Sequence, residues 1–186
     1  DAPDQWGSFC RLSAVVFGRS IMYLGLNTFI VLYFMNHFHE SQNFSNLLLS
    51  VYYGIGALFT LIGGKLGDKH GYRTFVRFGF LLAFPAALIL AWTDSSILGI
   101  LCLIVLGAAL NLTYSPMVVL GQQYLPNRVG LASGITLGLA VSVGGITAPL
   151  LGKVGDMYGL ETTFYVIALI TLIPLISSFT LPKPKK

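Results

Sequence analysis

Long apolar runs separated by short polar turns make up almost the whole of this chain. A helix needs roughly 20 apolar residues to cross about 30 Å of hydrocarbon. Six runs are long enough, at residues 9–37, 46–66, 74–92, 97–124, 130–154 and 162–181. Their apolar positions are continuous rather than alternating, which is typical of helices and not of barrel strands. The pattern therefore predicts an all-α membrane protein with six transmembrane helices, here called spans one to six.

Composition supports this prediction, because 55% of the residues are hydrophobic, only 10% are charged, and the mean hydropathy is +0.77. Soluble domains carry about 25% charged residues. The net charge of +4 comes from basic residues in the turns and the tail, so it does not indicate a nucleic-acid partner. The two cysteines, Cys10 and Cys102, predict neither a disulfide nor a metal site. Since the sequence starts at Asp1 without a targeting signal, we expect it to be part of a longer polypeptide.

Basic residues are distributed very unevenly between the two sets of turns. Lysine and arginine concentrate in the cytoplasmic turns of membrane proteins. With both ends placed in the cytoplasm, nine basic residues fall on that side and Lys153 alone falls on the other. The nine are Arg11, Lys65, Lys69, Arg73, Arg77, Arg128, Lys183, Lys185 and Lys186. This asymmetry predicts six crossings of the cell (inner) membrane, with both ends of the segment cytoplasmic.

Two glycine-rich turns share a motif. Residues 64–73 read GKLGDKHGYR, and residues 152–159 read GKVGDMYG, 88 positions later. The turns follow spans two and five. We therefore predict two three-helix repeats, at residues 9–93 and 94–181, and a basic cytoplasmic tail at residues 182–186. Each repeat crosses the membrane an odd number of times, so the second is inverted, as is typical of secondary transporters. The alternative is that short Gly–Asp turns recur by chance.

The first of these turns resembles the signature loop of the major facilitator superfamily. The matching residues are Gly64, Leu66, Gly67, Asp68, Lys69, Gly71 and Arg73. Tyr72 departs from the pattern, because the family usually has a basic residue there. The resemblance implies that the six spans are half of a 12-helix facilitator fold.

A narrower resemblance covers nearly the whole chain. Residues 122–134, Gly144–Gly145 and residues 33–35 are similar to the C-terminal half of fosmidomycin-resistance-type efflux transporters. The resemblance implies spans seven to twelve of a drug-resistance antiporter. Such a protein would carry a small drug-like or anionic solute out of the cell by alternating access, in exchange for protons. The absent N-terminal six-helix half would be its partner.

Span one contains an arginine, Arg19, in its apolar stretch. It follows Arg11 by eight positions, which places it about 12 Å deeper in the membrane. An arginine at this depth is costly and usually faces a cavity or an opposite charge. The alternative is that its side chain reaches back to the cytoplasmic surface. Tyr23 and Asn27 follow at helical spacing, so we expect all three side chains to line a cavity.

Span four carries a second polar stripe, in which Asn111, Ser115 and Gln122 share one helix face and Tyr114 lies beside it. We expect Asn111, Tyr114 and Ser115 to line the same cavity, although such side chains also join helices by hydrogen bonds. No aspartate or glutamate lies within a predicted span. We expect His37 and His39 to be interfacial. If the protein exchanges protons, the carrier group is therefore expected in the absent half.

The first glycine-rich turn has a second predicted role, as a gating loop. Its residues are Gly64, Gly67, Asp68, Lys69, Gly71 and Arg73. An aspartate can accept hydrogen bonds from backbone N–H groups at a helix N-terminus, where the helix dipole favours an anion. The family resemblance implies that Asp68 bridges the two halves and holds one face of the cavity shut. The alternative is a solvated turn that only fixes the topology.

Small residues and prolines punctuate the later spans. Gly130, Gly134 and Gly138 recur every four residues on span five, which predicts a stripe for close helix packing. Pro85, Pro116 and Pro174 predict breaks in spans three, four and six, and Pro149 lies near the end of span five.

These features favour a carrier for a small-molecule substrate, embedded in the lipid bilayer and coupled to protons. A natural six-helix protomer that pairs with a second copy is a variant of this hypothesis. The alternative is a non-transporting six-helix domain that assembles or anchors a partner. The chain contains no nucleophile–base pair, metal spacing or phosphate-binding loop, so we expect no enzyme activity, cofactor or nucleic-acid partner.

Overall fold

The chain folds into a bundle of helices in a computed structural model that describes residues 3–184. Four spans are single helices, namely α1 (Trp6–Asn36), α2 (Gln42–His70), α3 (Tyr72–Trp92) and α6 (Val129–Tyr158). Span four consists of α4 (Ser96–Leu112) and α5 (Tyr114–Tyr124), and span six of α7 (Leu160–Ile170) and α8 (Leu172–Phe179). All six spans are long and apolar enough to cross a membrane, as predicted. Lys185 and Lys186 of the predicted tail lie outside the described residues.

Both glycine-rich turns are shorter than predicted. Only Gly71 separates α2 from α3, and only Gly159 separates α6 from α7. The intervals left between the predicted spans, residues 67–73 and 155–161, are therefore almost entirely helical. Both glycines have φ of 96°, a conformation that other residues rarely adopt. Each donates its N–H to the carbonyl four residues earlier, at 2.9 Å. The two turns share this geometry, while the internal duplication and the inverted relation of residues 9–93 to 94–181 stay predictions.

Two of the predicted proline breaks are present. Spans four and six are interrupted at Thr113 and Thr171, each three residues before a proline, Pro116 or Pro174. Proline has no N–H and its ring collides with the carbonyl four residues earlier, so the helix cannot continue unchanged through it. The break predicted at Pro85 is wrong, because α3 runs through that residue without interruption.

The interrupted backbone of span four lies very close to α2 and α3, at one glycine of each helix. A Cβ at Gly63 of α2 would overlap the Leu112 carbonyl, and a Cβ at Gly79 of α3 would overlap the Thr113 methyl group. Glycine at these positions lets the irregular backbone of span four approach both helices closely. The position of the break therefore depends on residues far away in the sequence.

Helix α1 lies at the centre of the bundle. It is the most deeply buried span and packs against α2 and against α4 to α8. Its own Tyr33 and Phe34 are fully buried, as is Phe164 of the neighbouring α7. Helices α2 and α6, in contrast, leave most of their surface open. The side chains of Leu61, on α2, and Ile146, on α6, are both exposed.

The two described ends of the chain meet at the same, basic end of the bundle. Arg11 Nη1 donates to the Thr180 carbonyl at 3.1 Å, and Arg73 Nη1 donates to the Leu181 carbonyl at 3.3 Å. Arg77 donates to three carbonyls at and just after the end of α8. Cations at a helix C-terminus satisfy its free carbonyls and complement its dipole. The arrangement agrees with an even number of crossings.

Candidate functional site

Arg19 lies in the middle of α1 with only 3% of its surface exposed. Its Nε donates a hydrogen bond of 2.9 Å to the carbonyl of Leu110, at the end of α4. In a continuous helix this carbonyl would accept from the backbone N–H of Tyr114. The break at Thr113 removes that partner, and Arg19 together with the Thr113 hydroxyl, at 2.8 Å, takes its place. The arginine is thus held by a backbone irregularity of span four.

A cavity of about 310 Å³ opens beside this arginine. It is lined by Arg19, Tyr23, Leu24, Thr60, Asn111, Tyr114, Ala140 and Val141. Four of the six predicted cavity residues are therefore brought together, from spans one and four. Helices α2 and α6 complete the walls.

The guanidinium is surrounded by aromatic rings rather than by carboxylates. Its central carbon lies 4.8 Å from the ring centroid of Tyr23 and 5.0 Å from that of Tyr114. Both rings therefore face a cation at a distance at which cation–π attraction is effective. No aspartate or glutamate of residues 3–184 forms an ion pair with Arg19. The cavity consequently carries a positive charge that no carboxylate among residues 3–184 compensates.

Asn111 contacts both the cavity and a neighbouring helix. Its Nδ2 donates to the Gly107 carbonyl at 2.8 Å, and its Oδ1 lies 3.4 Å from the Thr60 hydroxyl of α2. A Cβ at Gly56 would come within 2.7 Å of the Asn111 amide, so this glycine makes room for it. Asn111 therefore also has the helix-joining role that the sequence left open.

Two predicted cavity residues lie outside this cavity. Asn27 is not among the lining residues, and its buried Oδ1 has no hydrogen-bond partner within residues 3–184. Ser115 donates its hydroxyl to the Thr60 carbonyl at 3.4 Å and so joins α5 to α2. Thr60 also lines the cavity, although it was not among the predicted cavity residues. A single threonine in an apolar helix is a weak signal, because its hydroxyl commonly bonds to its own helix.

Asp68, in the predicted gating loop, is exposed and accepts a hydrogen bond from the hydroxyl of Tyr72. No side chain caps the N-terminus of α3. The resemblance implies a helix partner for Asp68 in the absent half, and that contact stays a prediction. Tyr72, which departs from the family pattern, supplies a partner of the carboxylate. Asp68 and Arg73 line an open cleft of about 740 Å³ at the basic end of the bundle.

The other loop residues differ in their surroundings. Gly67 is buried under the Tyr72 ring, which a Cβ would approach to 2.8 Å, and Gly64 faces Ser115. Lys69 and Gly71 are exposed. The gating role of this loop stays a prediction.

The glycine stripe of α6 does not pack against another helix within residues 3–184. Gly130, Gly134 and Gly138 are exposed, and no described atom lies within 4 Å of a Cβ built on any of them. As a packing surface, the stripe stays a prediction for a partner outside residues 3–184.

At the opposite end of the bundle, His37 joins three elements. Its Nδ1 lies 2.7 Å from a Glu161 oxygen at the start of α7. Its Nε2 lies 2.8 Å from the Thr93 carbonyl and 3.4 Å from an Asp94 oxygen, in the loop after α3. The ring stacks on Tyr33 with centroids 4.8 Å apart. The sequence does not reveal this contact, because the three segments are distant along the chain.

Known proteins resemble the chain over most of its length. The family model described as Major Facilitator Superfamily matches residues 12–186. The Bacillus subtilis (strain 168) protein named "Uncharacterized MFS-type transporter YfnC" is 32% identical over 162 residues, which cover 87% of this chain and 39% of the relative. The "Fosmidomycin resistance protein" of Escherichia coli (strain K12) is 30% identical over 169 residues, covering 90% of this chain and 41% of the relative. The chain thus spans about 40% of the length of these relatives.

Solved structures share the arrangement of the helices. A crystal structure of FucP, a Major Facilitator Superfamily transporter in the outward conformation, matches with a TM-score of 0.84 and 17% identity, over 95% of this chain and 42% of that one. The peptide transporter POT in complex with sulfate matches with a TM-score of 0.85 and 18% identity, over 93% of this chain and 37% of that one. At these identities the likeness concerns the fold alone.

Proposed function

The chain belongs to the Major Facilitator Superfamily, and from that premise we propose that it is the C-terminal half of a secondary active transporter. The family consists of transporters, so the chain is not an enzyme. The transporter moves a small drug-like or anionic solute by alternating access. The observation that carries this proposal is Arg19, a buried cation at a cavity, without a carboxylate partner among the described residues.

An anionic group on the solute suits this cavity because it compensates the charge of Arg19. An arginine stays charged at every physiological pH, and its planar group can bind two oxygens of a carboxylate or phosphonate at once. Tyr23, Tyr114 and Asn111 supply aromatic surface and an amide beside it. A carboxylate from the remaining part of the transporter is the competing partner for Arg19.

Efflux and proton exchange belong to the same proposal. The similarity to a protein named for fosmidomycin resistance supports export. Arg19 cannot itself carry the proton, since a guanidinium keeps its charge throughout the physiological pH range. No described aspartate or glutamate lines the cavity around it. The proton is therefore carried by a group in the absent half.

The partner and the orientation complete the proposal. The chain spans about 40% of its relatives, which leaves room for an N-terminal six-helix half, or for a second copy of this chain, to close the cavity. The basic end of the bundle lies on the cytoplasmic side of the inner membrane, in accordance with the distribution of lysine and arginine. The other candidate is a non-transporting domain that anchors a partner, which the open surfaces of α2 and α6 favour.

Substitution of Arg19 tests the proposal. In the protein at its natural full length, Arg19→Ala should abolish transport while membrane insertion is retained, because the solute loses its counter-charge. Transport is measured in proteoliposomes with a pH-sensitive dye, using fosmidomycin and a set of small carboxylates as test solutes. Lys153→Ala, at an exposed position, is the matched control for the loss of a basic residue. Normal transport by the Arg19 variant would refute the cavity role, and the absence of solute movement in the unmodified protein would favour the anchor.

A further inference from the structure

Three consecutive residues of α1 each contact a different one of spans four, five and six. Gly18 meets span six, where a Cβ would overlap the ring of Pro174. Arg19 meets span four, where its Nε binds the carbonyl of Leu110 that the break leaves free. Ser20 meets span five, where its hydroxyl contacts the backbone of α6.

The hydroxyl of Ser20 bridges two backbone groups of α6. It donates to the Ala140 carbonyl at 2.9 Å and accepts from the Gly144 N–H at 2.8 Å. A regular α-helix would join this carbonyl and this N–H to each other. Helix α6 is continuous from Val129 to Tyr158, and a side chain that hydrogen-bonds to both members of such a pair marks a place at which a helix can bend. Gly144 permits this contact, because a Cβ there would overlap the Ser20 carbonyl.

Helix geometry explains how three adjacent residues reach three spans. Successive side chains on an α-helix point about 100° apart, and three residues span only about 3 Å along the axis. Gly18, Arg19 and Ser20 therefore face three neighbours in one thin layer. Arg19 and Ala140, which take part in two of these contacts, also line the cavity. The breaks of spans four and six and the Ser20 contact on span five thus converge on α1 at the depth of the cavity.

We propose that residues 18–20 form a hub on α1. Through this hub, α1 positions the points at which spans four, five and six bend during transport. This inference rests on the proposed carrier function. Gly18 and Ser20 are positioning residues, since neither lines the cavity. A change in the bend of α6 must exchange the bonds of the Ser20 hydroxyl for others. The hub therefore sets how readily the cavity changes its access from one side to the other, with little effect on how tightly it holds a solute.

Ser20→Ala tests the hub in the protein at its natural full length. Loss of the hydroxyl should make amide hydrogen exchange in the peptide that contains Gly144 about fivefold faster, because one protecting hydrogen bond is lost. The turnover rate should change by a factor of about three or more, while the solute concentration at half-maximal rate stays the same. Ser13→Ala is the matched control. Its hydroxyl lies two turns earlier on the same face of α1 but bonds to its own helix, at the Phe9 carbonyl.

Gly18→Ala gives an independent test, with Gly7→Ala as control because no atom lies within 4 Å of a Cβ at Gly7. We expect Gly18→Ala to lower the thermal midpoint, and Pro174→Ala in the same protein to remove most of that loss by removing the ring. Equal losses in both backgrounds would contradict the contact between α1 and the break.

The outcomes separate the hub from the carrier function. If Ser20→Ala accelerates exchange at Gly144 but the unmodified protein moves none of the test solutes, the positioning contact stands and the carrier function fails. If the unmodified protein transports and Ser20→Ala behaves like Ser13→Ala in exchange and in turnover, the hub is refuted and the carrier function stands.

Discussion

At the scale of single residues, Arg19 shows how the fold accommodates a charge within a span. An arginine at the centre of a membrane helix costs about 2.5–3.5 kcal/mol on insertion scales. A hydrogen bond from a charged donor contributes about 1.5–3 kcal/mol, and each cation–π contact about 0.5–2 kcal/mol. The Leu110 carbonyl and the rings of Tyr23 and Tyr114 therefore offset much of the burial cost without cancelling the charge. The charge remains available for an anionic ligand.

The sequence was sufficient to select Arg19 because a charge in an apolar run is a strong signal. Tyr23, Asn111 and Tyr114 were also predicted, since helical spacing places them near it or on the facing span. Asn27 and Ser115 have the same spacing but face other surroundings. Periodicity identifies one face of a helix, but the depth and rotation of that face depend on tertiary packing.

Asp68 gives a residue-scale prediction that separates a gate from a local contact. If its carboxylate bridges the two halves, Asp68→Ala should shift the resting protein toward the state open to the cytoplasm. Tyr72→Phe should have little effect, because it removes only the local hydroxyl partner and leaves the carboxylate in place. The measurement is the labelling of Val141→Cys, at the cavity wall, by an impermeant maleimide from each side of the membrane. If both variants shift labelling equally, Asp68 only fixes the turn.

At the scale of elements, the number of helices was predictable, whereas their interruptions were only partly so. Long apolar runs leave few alternatives to six spans. Proline alone, however, does not decide where a span breaks. The hydroxyls of Thr113 and Thr171 each donate a hydrogen bond to a carbonyl of the preceding turn, at 2.8 Å and 3.2 Å. Leu82, three residues before Pro85, has no polar group to do so, and α3 continues.

The two single-residue turns give an element-scale prediction. Gly71 has φ of 96° with no atom within 4 Å of a Cβ, so Gly71→Ala is strained by its backbone conformation alone. We expect a loss of about 1–2 kcal/mol of stability from that strain. Gly7→Ala, equally unobstructed but in helix α1 and outside the glycine stripe of α6, should be neutral or slightly stabilising, because alanine favours a helix over glycine. Thermal midpoints in detergent measure both changes, and an equal effect of the two substitutions would contradict the strain.

At the scale of the whole molecule, the bundle is unevenly covered. Helix α1 is enclosed by its neighbours, whereas α2 and α6 expose apolar side chains along most of their length. Lipid tails accept such surfaces, so exposure alone does not require a protein partner. The cavity gives a reason for one, because Arg19 lies against walls formed by these two helices. A partner that packs on α2 and α6 would enclose the arginine and separate it from lipid.

The glycine stripe of α6 provides the test of such a partner. If another half packs on Gly130, Gly134 and Gly138, Gly134→Leu should lower the thermal midpoint and the transport rate of the full-length protein, because the side chain keeps the helices apart. Gly7→Leu is the control, since Gly7 has equally open space on α1, outside this stripe. If Gly134→Leu and Gly7→Leu are equally harmless, the stripe faces lipid. A second half would then have to enclose Arg19 by packing on α2 alone. In that case, cysteines introduced on α2 should form cross-links to the second half, whereas cysteines introduced on α6 should not.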